Sequence, residues 1–202
     1  MMKTKTMNKM TAMLLAMLLM LTAAMPAMAA TYQGAVPVNP TSNTVGSELS
    51  FTQRSFYGGQ TLAVYRGPGV EYGRCNNGWA KADTDEPLYA AGMENGWALV
   101  MYGTSGGSVR VGWVDLSQFK YNTNILKLKE IQFEYKTAKI KSDCVLTDDP
   151  VLDNRDLGYL YTGTTVTYLG SFYKYRQWAY IETWMEGRPI RAFVPMDCIS
   201  VN

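Results

Sequence analysis

The sequence predicts an all-β protein built from two tandem small barrels. Three observations carry that prediction. Apolar residues alternate one by one along short runs, no stretch keeps a helical period over several turns, and the second half of the chain repeats the order of motifs in the first.

The 202-residue chain opens with Lys3, Lys5 and Lys9, an apolar run from Met10 to Leu21, and Ala27-Met28-Ala29. A positive head, a short apolar run and an A-x-A site form the pattern of a secretory signal peptide, read here over residues 1–29. The run falls short of the roughly 20 residues that a bilayer span needs, so no membrane span is expected. The protein is therefore expected outside the cell, secreted and open to cell-wall association. Residues 31–47, TYQGAVPVNPTSNTVGS, are rich in Pro, Gly, Ser, Thr and Asn. They read as a flexible tether over 30–47, with a packed edge strand as the alternative.

Beyond the tether the chain repeats itself about 80 residues downstream. Glu48-Leu49-Ser50-Phe51 matches Glu130-Ile131-Gln132-Phe133, and Pro68 matches Pro150. Trp97-Ala98-Leu99-Val100 matches Trp178-Ala179-Tyr180-Ile181. Val109-Arg110 through Trp113-Val114 matches Ile190-Arg191 through Phe193-Val194. These blocks divide the chain into units at 48–120 and 130–202, joined by a linker at 121–129.

Within each unit the pattern is that of strands. Ala98, Val100 and Tyr102 share one face of a strand, as do Ala179 and Ile181. The stretch GTSGG at 103–107 reads as a hairpin turn, with Glu186-Gly187-Arg188-Pro189 in the equivalent place. The returning strands are Val109–Val114 and Ile190–Val194. Thr165–Leu169 is a further strand, ended by Gly170. The run LKLKEIQFEY at 126–135 admits an amphipathic helix, but Ile131, Phe133 and Tyr135 alternate, which favours a strand. Units of about 70 residues suit small barrels better than sandwiches.

Composition narrows the chemistry. The chain has no histidine at all. That excludes Ser-His-Asp and Cys-His nucleophile pairs and the usual ligands of catalytic zinc. The formal charge of +2 comes from the three lysines of the leader, so the remainder is close to neutral. Phosphate binding needs clustered Lys and Arg, so nucleic acid is not an expected partner. Ser-x-x-Lys occurs at Ser117–Lys120 and Ser171–Lys174, but neither has the helical setting or companion motifs of a serine nucleophile. Asp148, Asp149, Asp153 and Asp156 form an acidic loop with Asn154. Arg155 interrupts it and its spacing fits no calcium loop, so a solvated turn is the expectation. No catalytic residue, metal or cofactor is expected.

Tyr65-Arg66-Gly67-Pro68-Gly69 resembles a turn of bacterial SH3-like domains. Gly96-Trp97, followed by a strand, a turn and Gly112-Trp113-Val114, resembles the end of the same family's domain. The second unit is more degenerate, with Asp148-Asp149-Pro150 at the turn and Ala192-Phe193-Val194-Pro195 at the last strand. The resemblance implies SH3-like barrels and a role in binding peptidoglycan or its peptides. Chain ends run side by side in such a barrel, which implies that Cys144 and Cys198 can meet as a disulfide, with two buried thiols as the alternative. Cys75 is left as a surface thiol or an intermolecular link.

Aromatics supply the candidate ligand surface. With Ala179 and Ile181 pointing inward, Trp178, Tyr180 and Glu182 point away from their barrel. Tyr173 and Tyr175 extend that surface, and Tyr72, Trp79 and Trp97 form its counterpart in the first unit. An indole or phenol beside a carboxylate offers an apolar face and a hydrogen-bonding edge. Packing of the two barrels against each other is the alternative use of these rings. The expected function is that of a non-catalytic binding module for cell-wall peptidoglycan or its peptides. The other class is an interaction protein, whose partner is a secreted protein or a second copy of the chain in a homodimer.

Overall fold

Short alternating runs become short strands. The computed structural model describes residues 44–54, 59–119, 127–152 and 156–202. The signal peptide, most of the tether and residues 121–126 of the linker lie outside the described residues. The N-terminal half carries β1 (Thr44–Val45), β2 (Glu48–Leu49), β3 (Thr52–Arg54), β4 (Thr61–Ala63), β5 (Lys81–Asp83), β6 (Leu88–Glu94), β7 (Trp97–Gly103) and β8 (Val109–Asp115). The C-terminal half carries β9 (Glu130–Ile131), β10 (Lys136–Ile140), β11 (Cys144–Leu146), β12 (Gly158–Leu160), β13 (Thr165–Lys174), β14 (Arg176–Met185), β15 (Arg188–Pro195) and β16 (Ile199–Val201). Only short 3-10 turns interrupt the strands among the described residues, so the protein is all-β. Thr44–Val45, read within the tether, is a strand.

Two six-stranded sheets share one plan. The first has the order β1-β9-β6-β7-β8, with β3 also on β6; the second has β15-β14-β13-β10-β16, with β2 also on β13. Two ribbons, β4-β5 and β11-β12, complete the set. Both central strands, β6 and β13, carry a register shift, between Ala90 and Gly92 and between Tyr168 and Gly170. Beyond each shift, the central strand takes a parallel partner from the other half. Glu48 and Leu49 of β2 pair with Ser171 and Phe172, and Glu130 of β9 pairs with Met93. The matched segments Glu48–Phe51 and Glu130–Phe133 are thus reciprocally exchanged arms.

Glycine makes the exchange possible at both crossings. A Cβ on Gly170 would lie 2.0 Å from the Ser47 carbonyl oxygen, and one on Gly92 would lie 2.7 Å from the Lys129 carbonyl oxygen. Those same carbonyls accept hydrogen bonds from the Ser171 N–H at 3.1 Å and the Met93 N–H at 2.9 Å. Each arm therefore docks by its backbone, which requires a bare Cα on the central strand.

The core has three parts. Leu62, Ala82, Leu88, Ala98 and Val100 fill the space between the first sheet and its ribbon. Ala138, Leu146, Ala179, Ile181 and Val194 do the same in the second half. A third cluster lies on the opposite faces of both sheets and draws on both halves and both arms: Leu49, Leu99, Trp113, Phe133, Trp178, Tyr180 and Phe193. Burying a Phe-sized side chain contributes about 1.5–3 kcal/mol. The shared cluster, which includes fully buried Trp113, Trp178, Tyr180 and Phe193, is therefore as important to stability as either separate core.

Candidate functional site

Strand alternation places the predicted aromatics correctly relative to their own sheet but not relative to solvent. Ala179 and Ile181 face the core of the second half, so Trp178, Tyr180 and Glu182 face away from it. The first half of the molecule covers that outward face. Trp178 is 2% exposed and Tyr180 1% exposed, and Tyr72 is buried as well. These residues form no open platform, and Trp97 is half-buried with its ring edge-on to Tyr65 at 5.0 Å. Only Trp79, Tyr173 and Tyr175 of the eight expected site residues are exposed.

The buried members instead surround Arg191. Its Nε donates to the Glu182 carboxylate at 2.8 Å, and the Tyr72 hydroxyl donates to the same oxygen at 2.7 Å. Arg191 also forms an ion pair with Glu94 of β6, to which the Tyr135 hydroxyl donates. The guanidinium carbon lies between 5.3 and 5.9 Å from the ring centres of Tyr72, Trp113, Phe133 and Tyr135. Burial alone would lower the guanidinium pKa; Glu94 beside it more than reverses that and raises it further. Trp113 Nε1 donates to the Tyr180 hydroxyl at 2.8 Å, and burial pushes that phenol up. This cluster joins the halves and is closed to ligands.

Arg110, matched with Arg191 in the repeat, joins the halves in the other direction. Its Nη1 lies 3.2 Å from Asp148 and 3.4 Å from Asp149 in the C-terminal half. Asp149 also accepts the Leu152 N–H at 2.9 Å. Asp148 and Asp149 are therefore buried ion-pair partners, not members of a solvated acidic turn. Asp156 is exposed, and Asp153 to Arg155 lie outside the described residues. Of the two Ser-x-x-Lys pairs, Ser171–Lys174 lies along β13, not at the start of a helix. Lys120 of the other lies outside the described residues.

The cysteines correct two expectations. Cys144 and Cys198 do come together, but as free thiols rather than a disulfide. Burial pushes the Cys144 thiol up to about 12, and the neighbouring Cys198 adds to the rise. The Cys198 thiol points to Asp197 Oδ1 at 3.7 Å. Cys75 is not a surface thiol. It is 4% exposed and packs in the first core.

Two of the open grooves among the described residues carry exposed aromatic rings. The larger, about 980 Å³, runs between the β2 arm, the first sheet and the end of β13. Its walls carry Phe51, Tyr89, Met101, Phe172 and Tyr173, with Glu48 and Lys174 as charged groups. Tyr173 is 68% exposed and Tyr89 is 37% exposed, so both rings can be reached by a ligand. The second groove, about 810 Å³, has Trp79 on its wall and shares Tyr102 and Gly103 with the first. Tyr89 and Met101 were not singled out in the sequence, and Phe51 was noted only as part of the repeat. Tyr89 lies on β6 and Met101 on β7, and the arm that carries Phe51 brings them into one groove with Tyr173.

No family model matches the chain, and no curated protein matches it. Among solved structures, NlpC2 from Trichomonas vaginalis matches the chain with 15% identity and a TM-score of 0.29. The match covers 77% of this chain and 49% of the other, so this chain spans about half the length of that protein.

Proposed function

We propose that the protein is a secreted, non-catalytic binding module that holds cell-wall peptidoglycan, or peptides derived from it, in the groove beside the β2 arm. The observation that carries this reading is the groove itself. About 980 Å³ of open space is lined by aromatic rings with one acidic and one basic side chain in the same wall. That is the pattern of a site for an extended amphipathic ligand: rings cover apolar parts, and charged groups fix orientation. Stacking and hydrogen bonding would carry the affinity, with no bond made or broken. The lack of histidine in the sequence is in keeping with that mechanism.

Each sheet with its ribbon supports reading the chain as two SH3-like units. The turn motif Arg66-Gly67-Pro68-Gly69 and the strand Gly112-Trp113-Val114 meet through the paired Tyr65 and Trp113 backbones. The equivalent bridge in the second half joins Thr147 and Phe193. The alternative of a disulfide-linked dimer loses its chemical support, because Cys75 is buried.

The test is co-sedimentation of residues 30–202 with insoluble peptidoglycan. Tyr173→Ala is the informative variant, since an exposed ring can be removed without opening the core. Trp178→Ala is not, because it removes a buried anchor of the shared cluster. Sedimentation that Tyr173→Ala weakens would support the reading. Absence of sedimentation of the unaltered protein would sink it.

A further inference from the structure

The second groove has different chemistry from the first. Trp79 stands in its wall with 77% of its surface exposed. The backbone beneath it is held tightly. Asn76, Asn77 and Gly78 adopt φ values of 49°, 51° and 91° in succession. Asparagine and glycine are the residues that adopt this left-handed region most readily. Here the buried Cys75 is the anchor. Its N–H donates to Val64 at 2.9 Å, and its carbonyl accepts from Gly78 at 3.1 Å and Ala80 at 3.2 Å. The Trp79 N–H then donates to the Asn76 carbonyl at 3.0 Å. A left-handed turn tied to Cys75 by backbone hydrogen bonds thus presents an indole to solvent.

Around that indole the wall is polar. Thr61, Ser105, Lys81, Asp83 and Glu86 line the same groove. Lys81 and Glu86 form no salt bridge among the described residues, so their donors and acceptors are available. An apolar plate beside mixed donors and acceptors suits a ring with C–H groups on its face and hydroxyls at its edge. Asp83 and Glu86 disfavour a phosphate, and the polar walls disfavour an apolar segment.

We propose that Trp79 is the stacking platform of a saccharide-binding site, with Lys81, Asp83 and Glu86 bonding the hydroxyl and amide groups of a pyranose. The identity of the sugar, an N-acetylated glycan strand, rests on the wall-binding reading; its class rests on this groove alone. Both grooves have Tyr102 and Gly103 at the end of β7 in their walls.

The probe is the β-1,4-linked tetramer of N-acetylglucosamine, titrated into the protein by calorimetry and followed in parallel by tryptophan fluorescence. The expected result is binding with a shift in indole emission. Trp79→Ala should weaken that binding at least about tenfold, or about 1.4 kcal/mol. Trp79→Phe should keep part of it, and Trp184→Ala, an exposed indole away from the groove, should leave it unchanged. No binding of the tetramer at millimolar concentration, or equal binding by Trp79→Ala, overturns the proposal. Sedimentation with peptidoglycan separates the two readings. If Trp79→Ala sediments normally while Tyr173→Ala does not, wall binding stands and the identification of the sugar as a wall glycan falls. If the tetramer binds at Trp79 but the protein ignores peptidoglycan, wall binding falls and the saccharide site stands.

Discussion

Replacing Arg191 by methionine removes the charge that holds the two halves together while keeping most of the apolar stem. The side chain is 1% exposed, and its partners Glu94 and Glu182 are each 13% exposed. Deleting one member of a buried ion pair typically costs about 3–5 kcal/mol, because the remaining charge has no partner and little water. Here one deletion leaves two carboxylates in that state. The four surrounding rings lose a cation as well, but these terms share one side chain and do not add. The expected loss is therefore about 3–5 kcal/mol. For a protein of this size each kcal/mol lowers Tm by about 2–4 °C, so the fall should be roughly 6–20 °C.

Thermal and urea unfolding followed by circular dichroism give the measurement. Since Glu94 lies on β6 and Arg191 on β15, the variant should also lose cooperativity between the halves. Adding Glu94→Gln and Glu182→Gln to Arg191→Met should recover part of the loss, because neutral amides are less costly to leave buried. A fall below about 3 °C, under roughly 1 kcal/mol, would refute the claim that the pair is buried and coupled. So would a triple variant no more stable than the single one.

Three further outcomes follow from the geometry. Gly170→Ala should destabilise by about 1–3 kcal/mol, since its Cβ would meet the Ser47 carbonyl oxygen at 2.0 Å and push the arm off β13; a neutral effect in urea unfolding would mean that the arm is not docked. The Cys144 thiol, pushed up to about 12 by burial and by Cys198, should stay protonated at pH 8 and resist iodoacetamide until the protein unfolds. Equal labelling of Cys144 and Cys198 in the folded state, read by peptide mass mapping, would contradict this. Asp143 accepts the Thr162 N–H and hydroxyl, each at 2.7 Å, and these bonds hold its pKa below the usual carboxylate range. Its contribution is complete above the unfolded pKa near 3.9 and is lost as pH falls through the lower folded value. Asp143→Asn should flatten that part of the stability-against-pH curve, and an unchanged slope would count against the assignment.

The sequence revealed much of the strand plan and little of what surrounds it. Alternation at Ala98, Val100, Ala179 and Ile181 placed those residues in their own cores, because a period of two depends only on the local backbone. The same alternation put Trp178, Tyr180 and Glu182 on the outward face, and there the inference to solvent failed. Nothing in a local pattern says whether a second sheet covers that face. A signal was present nonetheless. Arg110 and Arg191 stand at matched positions within otherwise apolar strands, and an arginine in such a place requires buried partners. Asp148 and Asp149, read as a solvated turn, are the partners of one; Glu94 and Glu182 are the partners of the other.

The exchanged arms explain why the open site was harder to read than the fold. A duplicated unit would place equivalent surfaces on both halves. Exchange uses the repeat differently. It consumes the outward faces of β7 and β14 as an interface, and its Glu48–Phe51 arm builds a groove wall against β13. The accessible rings then fall where the halves differ. Tyr173 extends from β13, whose ten residues outrun the seven of β6, and Trp79 rides on a left-handed Asn-Asn-Gly turn in the first half. Two sheets of one plan make the framework of this protein. Ligand chemistry should be sought where the two sheets differ, and Tyr173 and Trp79 are exposed at such places.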